Sequence, residues 1–269
     1  MKEYQLTDKQ YASYLNKQKS IIQNKPLLKN CYAQWYKTIK NDLNLLTHIQ
    51  GDIIELGSGG GFIKEYIPEV ITSDVIQGVA EKVIQAPLLP LLDNTVKALI
   101  LNKVFHHIPN VSTFLAECER VLAPGGQLLI IDPSHTPLAR FLLKHFHTEP
   151  YDDKIDNWDF ISNNKATDAN QANTWNIFFR DQKKFTINYP SLHLTKTQFL
   201  PWISYILTGG VSGKNPIPHC ATKLLLGVDK LFSPLNRISS FMWYLKIQKK
   251  TVTPYSQALC RNRLKKENE

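Results

Sequence analysis

The stretch Asp52-Ile-Ile-Glu-Leu-Gly-Ser-Gly-Gly-Gly61 decides how this chain is read. Ile53, Ile54 and Leu56 form a short apolar run bounded by polar residues and then by glycines, the pattern of a strand buried in a parallel sheet. The glycines turn the chain toward a helix expected to begin near Phe62-Ile63-Lys64-Glu65. Glycine suits the turn because it adopts positive φ and lets backbone N–H groups come close to a ligand. Strand, glycine turn and helix together make a ligand-binding corner at the carboxyl edge of an α/β sheet.

Spacing narrows the ligand. A dinucleotide fingerprint needs G-x-G-x-x-G, and counted from Gly57 its third glycine falls on Phe62. What stands instead is Glu55-Leu-Gly57-Ser58-Gly59-Gly-Gly61, an acid followed by G-x-G-x-G. This resembles motif I of the class I S-adenosylmethionine-dependent methyltransferases. The resemblance implies S-adenosyl-L-methionine as cofactor, with Gly57, Ser58, Gly59 and Gly61 around its methionine part and Glu55 near its ammonium group. The competing reading is a glycine turn with no ligand.

The segments that follow keep to the same family in order. Glu69-Val-Ile-Thr-Ser-Asp74-Val75 reads as a second strand ending in an acid, seventeen positions after Gly57. An acid about twenty residues on is where folds of this kind hold ribose hydroxyls. It resembles the family's motif II and assigns Asp74 and Val75 to the cofactor. Lys82–Ala86 reads as a short third strand, too close to Asp74 for a full helix between them. Ala86-Pro-Leu-Leu-Pro-Leu-Leu-Asp-Asn94 resembles the D-A-x-x-L-P-F-x-D-x-S-F-D signature of the type 11 enzymes, relatives of the ubiquinone and menaquinone biosynthesis methyltransferases. Gln85 stands where that signature has an Asp facing the adenine amino group, and its amide oxygen can still accept; Ala86 follows it into the cofactor site. Lys97 replaces the signature's later Asp.

Val96–Leu101 is a fourth strand, leading through Asn102 to His106-His107. The resemblance puts Asn102 beside the cofactor and the histidine pair beside the transferring methyl. Either imidazole can take a proton from an acceptor hydroxyl, since the ring titrates near neutrality, or the pair only shapes the pocket. Glu117-Cys-Glu-Arg120-Val-Leu-Ala-Pro-Gly-Gly126 resembles the family's E-x-x-R-V-L-x-P-G-G. It reads as structural, with the Pro-Gly-Gly turn preceding a fifth strand at Gln127–Ile131.

Residues 1–50 read as a helical cap, broken at Lys25-Pro26 before a second helix near Leu28–Leu46. Tyr11, Tyr14 and Leu15 share one helical face. Tyr32, Trp35 and Tyr36 repeat that spacing, either as core packing or as a lid. Residues 51–269 read as the methyltransferase domain, interrupted at 140–190 and again, between the last two strands, at 200–240. His145, His147 and Glu149 lie close in sequence, but two histidines two apart share no helix face and no third ligand is near, so no metal is expected. Asp152, Asp153, Asp156, Asp159 and Trp158 mark a substrate lid or a mobile surface loop. Asn173–Asp181 and Leu224–Leu235 read as helices, and Leu192–Gln198 and Phe241–Ile247 as strands six and seven. His145–Asp152 and Thr208–Ser212 resemble stretches of a bacterial subgroup of type 11 enzymes. The fold class is α/β and Rossmann-like: a seven-stranded, mostly parallel sheet with helices on both faces. The resemblance implies the order 3-2-1-4-5-7-6, with the last strand antiparallel.

Of the 269 residues 43% are hydrophobic, enough for one substantial core. No run of 18 apolar residues marks a spanning helix, and the polar N-terminus shows no secretory pattern. Cys31, Cys118, Cys220 and Cys260 are far apart, which fits a reduced, cytoplasmic protein. The net charge of +9 gathers partly at the end, at Lys246, Lys249, Lys250, Arg261, Arg263, Lys265 and Lys266. Such a tail is either solvated or a contact to nucleic acid or an anionic surface. The reaction expected is methyl transfer to a small-molecule acceptor (lipid, quinone or glycan-linked), with peripheral membrane contact possible. An RNA methyltransferase and a non-catalytic scaffold of the same fold are the alternatives.

Overall fold

The computed structural model describes residues 8–162, 168–211, 213 and 217–251. The N-terminal pentapeptide and the basic residues from Arg261 onward, with Cys260 and Ser212, lie outside these described residues. Seven strands form one sheet: β1 (Asp52–Leu56), β2 (Ile71–Asp74), β3 (Lys82–Val83), β4 (Val96–Asn102), β5 (Leu122–Pro133), β6 (Leu192–Phe199) and β7 (Met242–Lys249). Their order is β3-β2-β1-β4-β5-β7-β6, as the motifs implied. The strands from β3 to β5 pair in parallel, and β7 runs antiparallel to both β5 and β6. β1, β4 and β5 are nearly continuous apolar runs because both of their faces are covered.

The helices are α1 (Asp8–Asn24), α2 (Pro26–Leu43), α3 (Val111–Val121), α4 (Pro137–Phe146), α5 (Asn173–Trp175), α6 (Gln182–Asn188), α7 (Ile203–Leu207), α8 (Thr222–Leu231) and α9 (Asn236–Ser239). A π-helical turn at Asn176–Arg180 joins α5 to α6. One core layer sets Phe114, Leu115, Cys118, Phe178 and Phe185 against the sheet. The opposite layer sets Tyr32, Trp35, Tyr36 and Ile39 of α2 against Ile53, Ile100, Ile131 and Tyr244.

Four local expectations change. The helix expected after the glycine loop is a single 3-10 turn, Ile63–Glu65. Pro68 disfavours helix at the residue before it, and the aromatic face of α2 fills the vacated space, packing on Phe62, Ile63 and Ile67. The third strand is only Lys82–Val83. Pro124-Gly125-Gly126 is no separate turn: it bulges within β5, where the register jumps from Val96↔Leu122 to Ala98↔Gln127. The Asp152–Asp159 segment is neither lid nor loose loop. Trp158 is buried in the core, and the Arg180 guanidinium donates to the carbonyls of Asp153 (2.9 Å) and Ile155 (2.7 Å).

Asp42 fastens α2 to the far edge of the sheet. Its buried carboxylate accepts from Tyr244 Oη (2.7 Å), Lys196 Nζ (3.0 Å) and Lys246 Nζ (3.0 Å). Burial works against this charge, but the three donors outweigh it and hold the carboxyl below its ordinary range.

Candidate functional site

The carboxyl ends of β1, β2 and β4 open into one cavity of about 650 Å³, within the usual span for small-molecule sites. It is lined by Glu55, Gly57, Ser58, Gly59, Gly61, Asp74, Val75, Gln85, Ala86, Asn102, His106 and His107, so every residue assigned from the sequence to the cofactor or to the transferring methyl meets there. Gln85 is exposed at the rim and Ala86 buried beside it.

The glycines are needed by close approach. Gly57 has φ +66°, and a Cβ there would stand 2.7 Å from Val104. Gly60, which the motif reading passed over, lies against α1: its Cβ would stand 2.7 Å from the Lys19 amide nitrogen. Tyr11, Tyr14, Leu15 and Gln18 of the same helix complete that wall of the cavity. Burial and the charge of Asp74 push the Tyr11 phenol up to about 12.

Two acids face the loop. Glu55 is buried at the end of β1, and burial, aided by Asp74, pushes its carboxyl up to about 8 against the opposing Ser58 hydrogen bond. Among the described residues its Oε2 has no partner, and neither has the buried Asn102 Oδ1 at the end of β4. Asp74 accepts from the backbone amides of Gly59 (3.0 Å) and Ile76 (3.3 Å). Burial nevertheless leaves its pKa raised.

Beyond Asn102 the chain turns through Lys103, at φ +60°, whose amide donates to Ile131 O (2.7 Å). The half-buried Lys103 ammonium donates to Tyr32 Oη (3.2 Å). His106 and His107 follow on a 3-10 turn. His106 Nδ1 is 2.6 Å from Asp132 Oδ1, and its Nε2 is 3.5 Å from Glu149 Oε2. Burial disfavours the His106 cation, but Asp132 and Glu149 more than offset it and raise the ring to about 9. Burial raises Asp132 as well, with His106 restraining the shift. His107 goes the other way, pushed down to about 4 by burial and by the neighbouring His106 charge. Neither ring therefore titrates near neutrality. Asp132 and Glu149 were not singled out as site residues from sequence, because their approach to His106 spans 26 and 43 positions. The available signal was that Asp132 ends a strand at the sheet's binding edge.

The motif block on α3 is structural, as its sequence indicated. Glu117 accepts from Leu89 N (2.9 Å), and Arg120 donates to the carbonyls of Leu89 (2.9 Å) and Leu91 (2.7 Å), clamping the loop after β3.

Residues 54–130 match the family model described as Methyltransferase domain. A curated relative, the ubiquinone/menaquinone biosynthesis C-methyltransferase UbiE of Desulfotalea psychrophila, is 33% identical over 89 residues. That alignment covers 33% of this chain and spans 35% of the relative's length. Among solved structures, the Streptomyces coelicolor geranyl diphosphate C-methyltransferase is 13% identical with a TM-score of 0.44, over 83% of this chain and 84% of that one. The YcgJ protein of Bacillus subtilis is 17% identical with a TM-score of 0.43, over 80% and 100%. Over residues 54–130, then, this chain matches a methyltransferase domain and is similar to a curated C-methyltransferase.

Proposed function

We propose that the chain transfers a methyl group from S-adenosylmethionine to a small-molecule acceptor with an apolar body, of the lipid, quinone or glycan-linked kind. The observation that carries the reading is the pair of orphaned buried acceptors, Glu55 Oε2 and Asn102 Oδ1, beside a glycine loop. Buried polar atoms are rarely left unpaired, and a ligand ammonium supplies the missing donors. Glu55 and the Gly57–Gly61 loop hold the methionine part. Asp74 spends lone pairs on two amides and keeps others for ribose hydroxyls. Val75, Gln85 and Ala86 border the base, and the helices α1 and α2 cap the site.

Bound there, the cofactor supplies a methyl already joined to its leaving group, so the chain's work is to align the acceptor and exclude water. His106, fixed between Asp132 and Glu149, positions the acceptor rather than deprotonating it. His107 stays neutral, with Nδ1 against Asp168 O (3.0 Å).

The acceptor class is supported by the apolar mouth, where Leu142, Phe146, Ile206 and Val211 line the cavity. The curated relative's name joins methyl transfer to a quinone. Phe141 and Phe146 on α4 and Ile238 on α9 are exposed, and α4 packs against α9. We assign that face to peripheral contact with a lipid surface; no described helix is long and apolar enough to cross a membrane. Calorimetry with S-adenosylhomocysteine, followed by transfer of labelled methyl to cell-extract fractions, tests the reading. Saturable binding and label in the lipid-soluble fraction are expected. Label confined to RNA overturns the acceptor class, and absence of binding overturns the enzyme.

A further inference from the structure

The cavity holds a second constellation that the cofactor does not use. His106, His107 and Glu149 each offer one ligand-type atom, and these atoms lie within 4.8 Å of one another. His106 Nε2 is 3.5 Å from Glu149 Oε2, and His107 Nε2 is 3.9 Å from Glu149 Oε1. We propose that this cluster is a divalent transition-metal site of the two-histidine, one-carboxylate type.

The outer contacts orient the rings for that task. His106 Nδ1 faces the Asp132 carboxylate at 2.6 Å, and His107 Nδ1 faces the Asp168 backbone carbonyl at 3.0 Å. A carbonyl only accepts, so the His107 Nδ1 carries the hydrogen and its Nε2 presents a lone pair. The His106 ring is held the same way round by a fully buried acid. Metal-bound histidines almost always donate their second nitrogen to a carboxylate or carbonyl, and here both do. Gln171 Nε2 in turn donates to Glu149 Oε2 and fixes the third ligand.

Two imidazole nitrogens and one carboxylate oxygen suit zinc, iron(II) or cobalt(II) better than magnesium or calcium. Bonds of about 2.0–2.2 Å at tetrahedral angles set ligand atoms about 3.4 Å apart, so the widest pair would close by up to about 1.4 Å. The three ligands line the cavity, so the ion's remaining positions face it. An oxygen-bearing acceptor, a hydroxyl or a carboxylate, would complete the coordination. That role rests on the methyl-transfer reading, but ion binding does not.

The rival arrangement is a proton shared between His106 and Glu149, holding the same groups as an ion pair. The test is made on the full chain, stripped with chelator and free of S-adenosylmethionine. Cobalt(II) is titrated in, with calorimetry and visible absorption as readouts. The site predicts one saturable ion and the visible band of a low-coordinate N/O environment. Glu149→Gln and His107→Ala should each weaken binding at least tenfold, and Asp132→Asn tenfold to a hundredfold. Thermal melting of every variant shows whether it folds, and His107→Ala, at a partly exposed ring, serves if Glu149→Gln does not. Absence of saturable binding overturns the proposal. So does binding that survives both variants and is lost instead on replacing the exposed His48 or His145.

Discussion

Gly60 and Lys19 are in backbone contact: a Cβ on Gly60 would stand 2.7 Å from the Lys19 amide nitrogen. The glycine loop and α1 are thus fitted without room for one methyl group. Gly60→Ala must lift α1 or bend the loop. Overpacking of this kind costs about 1–3 kcal/mol, and S-adenosylhomocysteine affinity should fall at least tenfold because α1 lines the cavity. Calorimetry beside a thermal melt checks both; unchanged affinity would separate α1 from the ligand.

Gly59 N donates to Asp74 Oδ2 and Ile76 N to Oδ1, so Asp74→Asn keeps an oxygen for only one of these amides and loses the charge. Hydrogen bonds to charged groups contribute about 1.5–3 kcal/mol, so affinity for S-adenosylhomocysteine should drop roughly ten- to a hundredfold. Free adenine, which has no ribose, should bind the variant and the wild type alike. A matching loss for adenine would mean the loop had collapsed instead.

Glu55 sets a pH dependence of opposite sign for stability and for binding. Its folded value, about 8, lies above the ordinary 4.5, so the fold favours the protonated acid. As pH rises from about 4.5 toward about 8, the unfolded chain releases this proton and the folded chain keeps it, and stability without ligand should decline. Glu55→Gln should flatten that decline. An ammonium-bearing ligand needs the carboxylate, so wild-type affinity for S-adenosylhomocysteine should rise over the same window, and the Gln variant should bind weakly throughout. Melting and calorimetry across this range give both slopes; parallel slopes would contradict the assignment.

Asp42→Ala removes the acceptor for Tyr244, Lys196 and Lys246 at once. Breaking a buried charge cluster by deleting one partner costs about 3–5 kcal/mol, and the partly exposed Lys196 places this case near the lower figure. The native Asp42 lies below its ordinary range, so its contribution is present above the unfolded carboxyl's pKa and is lost as pH falls through the folded one. Denaturant melts at neutral and acidic pH should therefore converge for variant and wild type as acid is added.

The corner from Asp52 to Gly61 and the acid at Asp74 could be read directly, because each rests on local periodicity or on a motif at fixed spacing, whereas the seven-strand order followed only from the resemblance those motifs carry. The absent helix after Gly61 could not. Ile63, Lys64 and Glu65 form a permissible helix start, and only the aromatic face of α2, some thirty residues earlier, explains why a 3-10 turn suffices. The same holds for Asp132 and Glu149. Each is an ordinary acid in sequence, and its meaning comes from a histidine brought to it by the fold. Gly60 was visible as a glycine, but the neighbour that requires it belongs to α1.

The joint between α1 and α2 is the short break at Lys25, whose ammonium donates to the carbonyl of Gly210 (2.9 Å) at the cavity's edge. α2 is anchored to the sheet through Asp42, whereas α1 lies on the glycine loop. A ligand that binds only beneath a seated α1 must hold that helix down by the same factor by which the seated helix holds the ligand, since coupling of two equilibria is reciprocal. The first helix is in effect an adjustable weight on affinity. Substitutions on its outer face, touching nothing in the cavity, shift ligand occupancy by however much they change its tendency to dock.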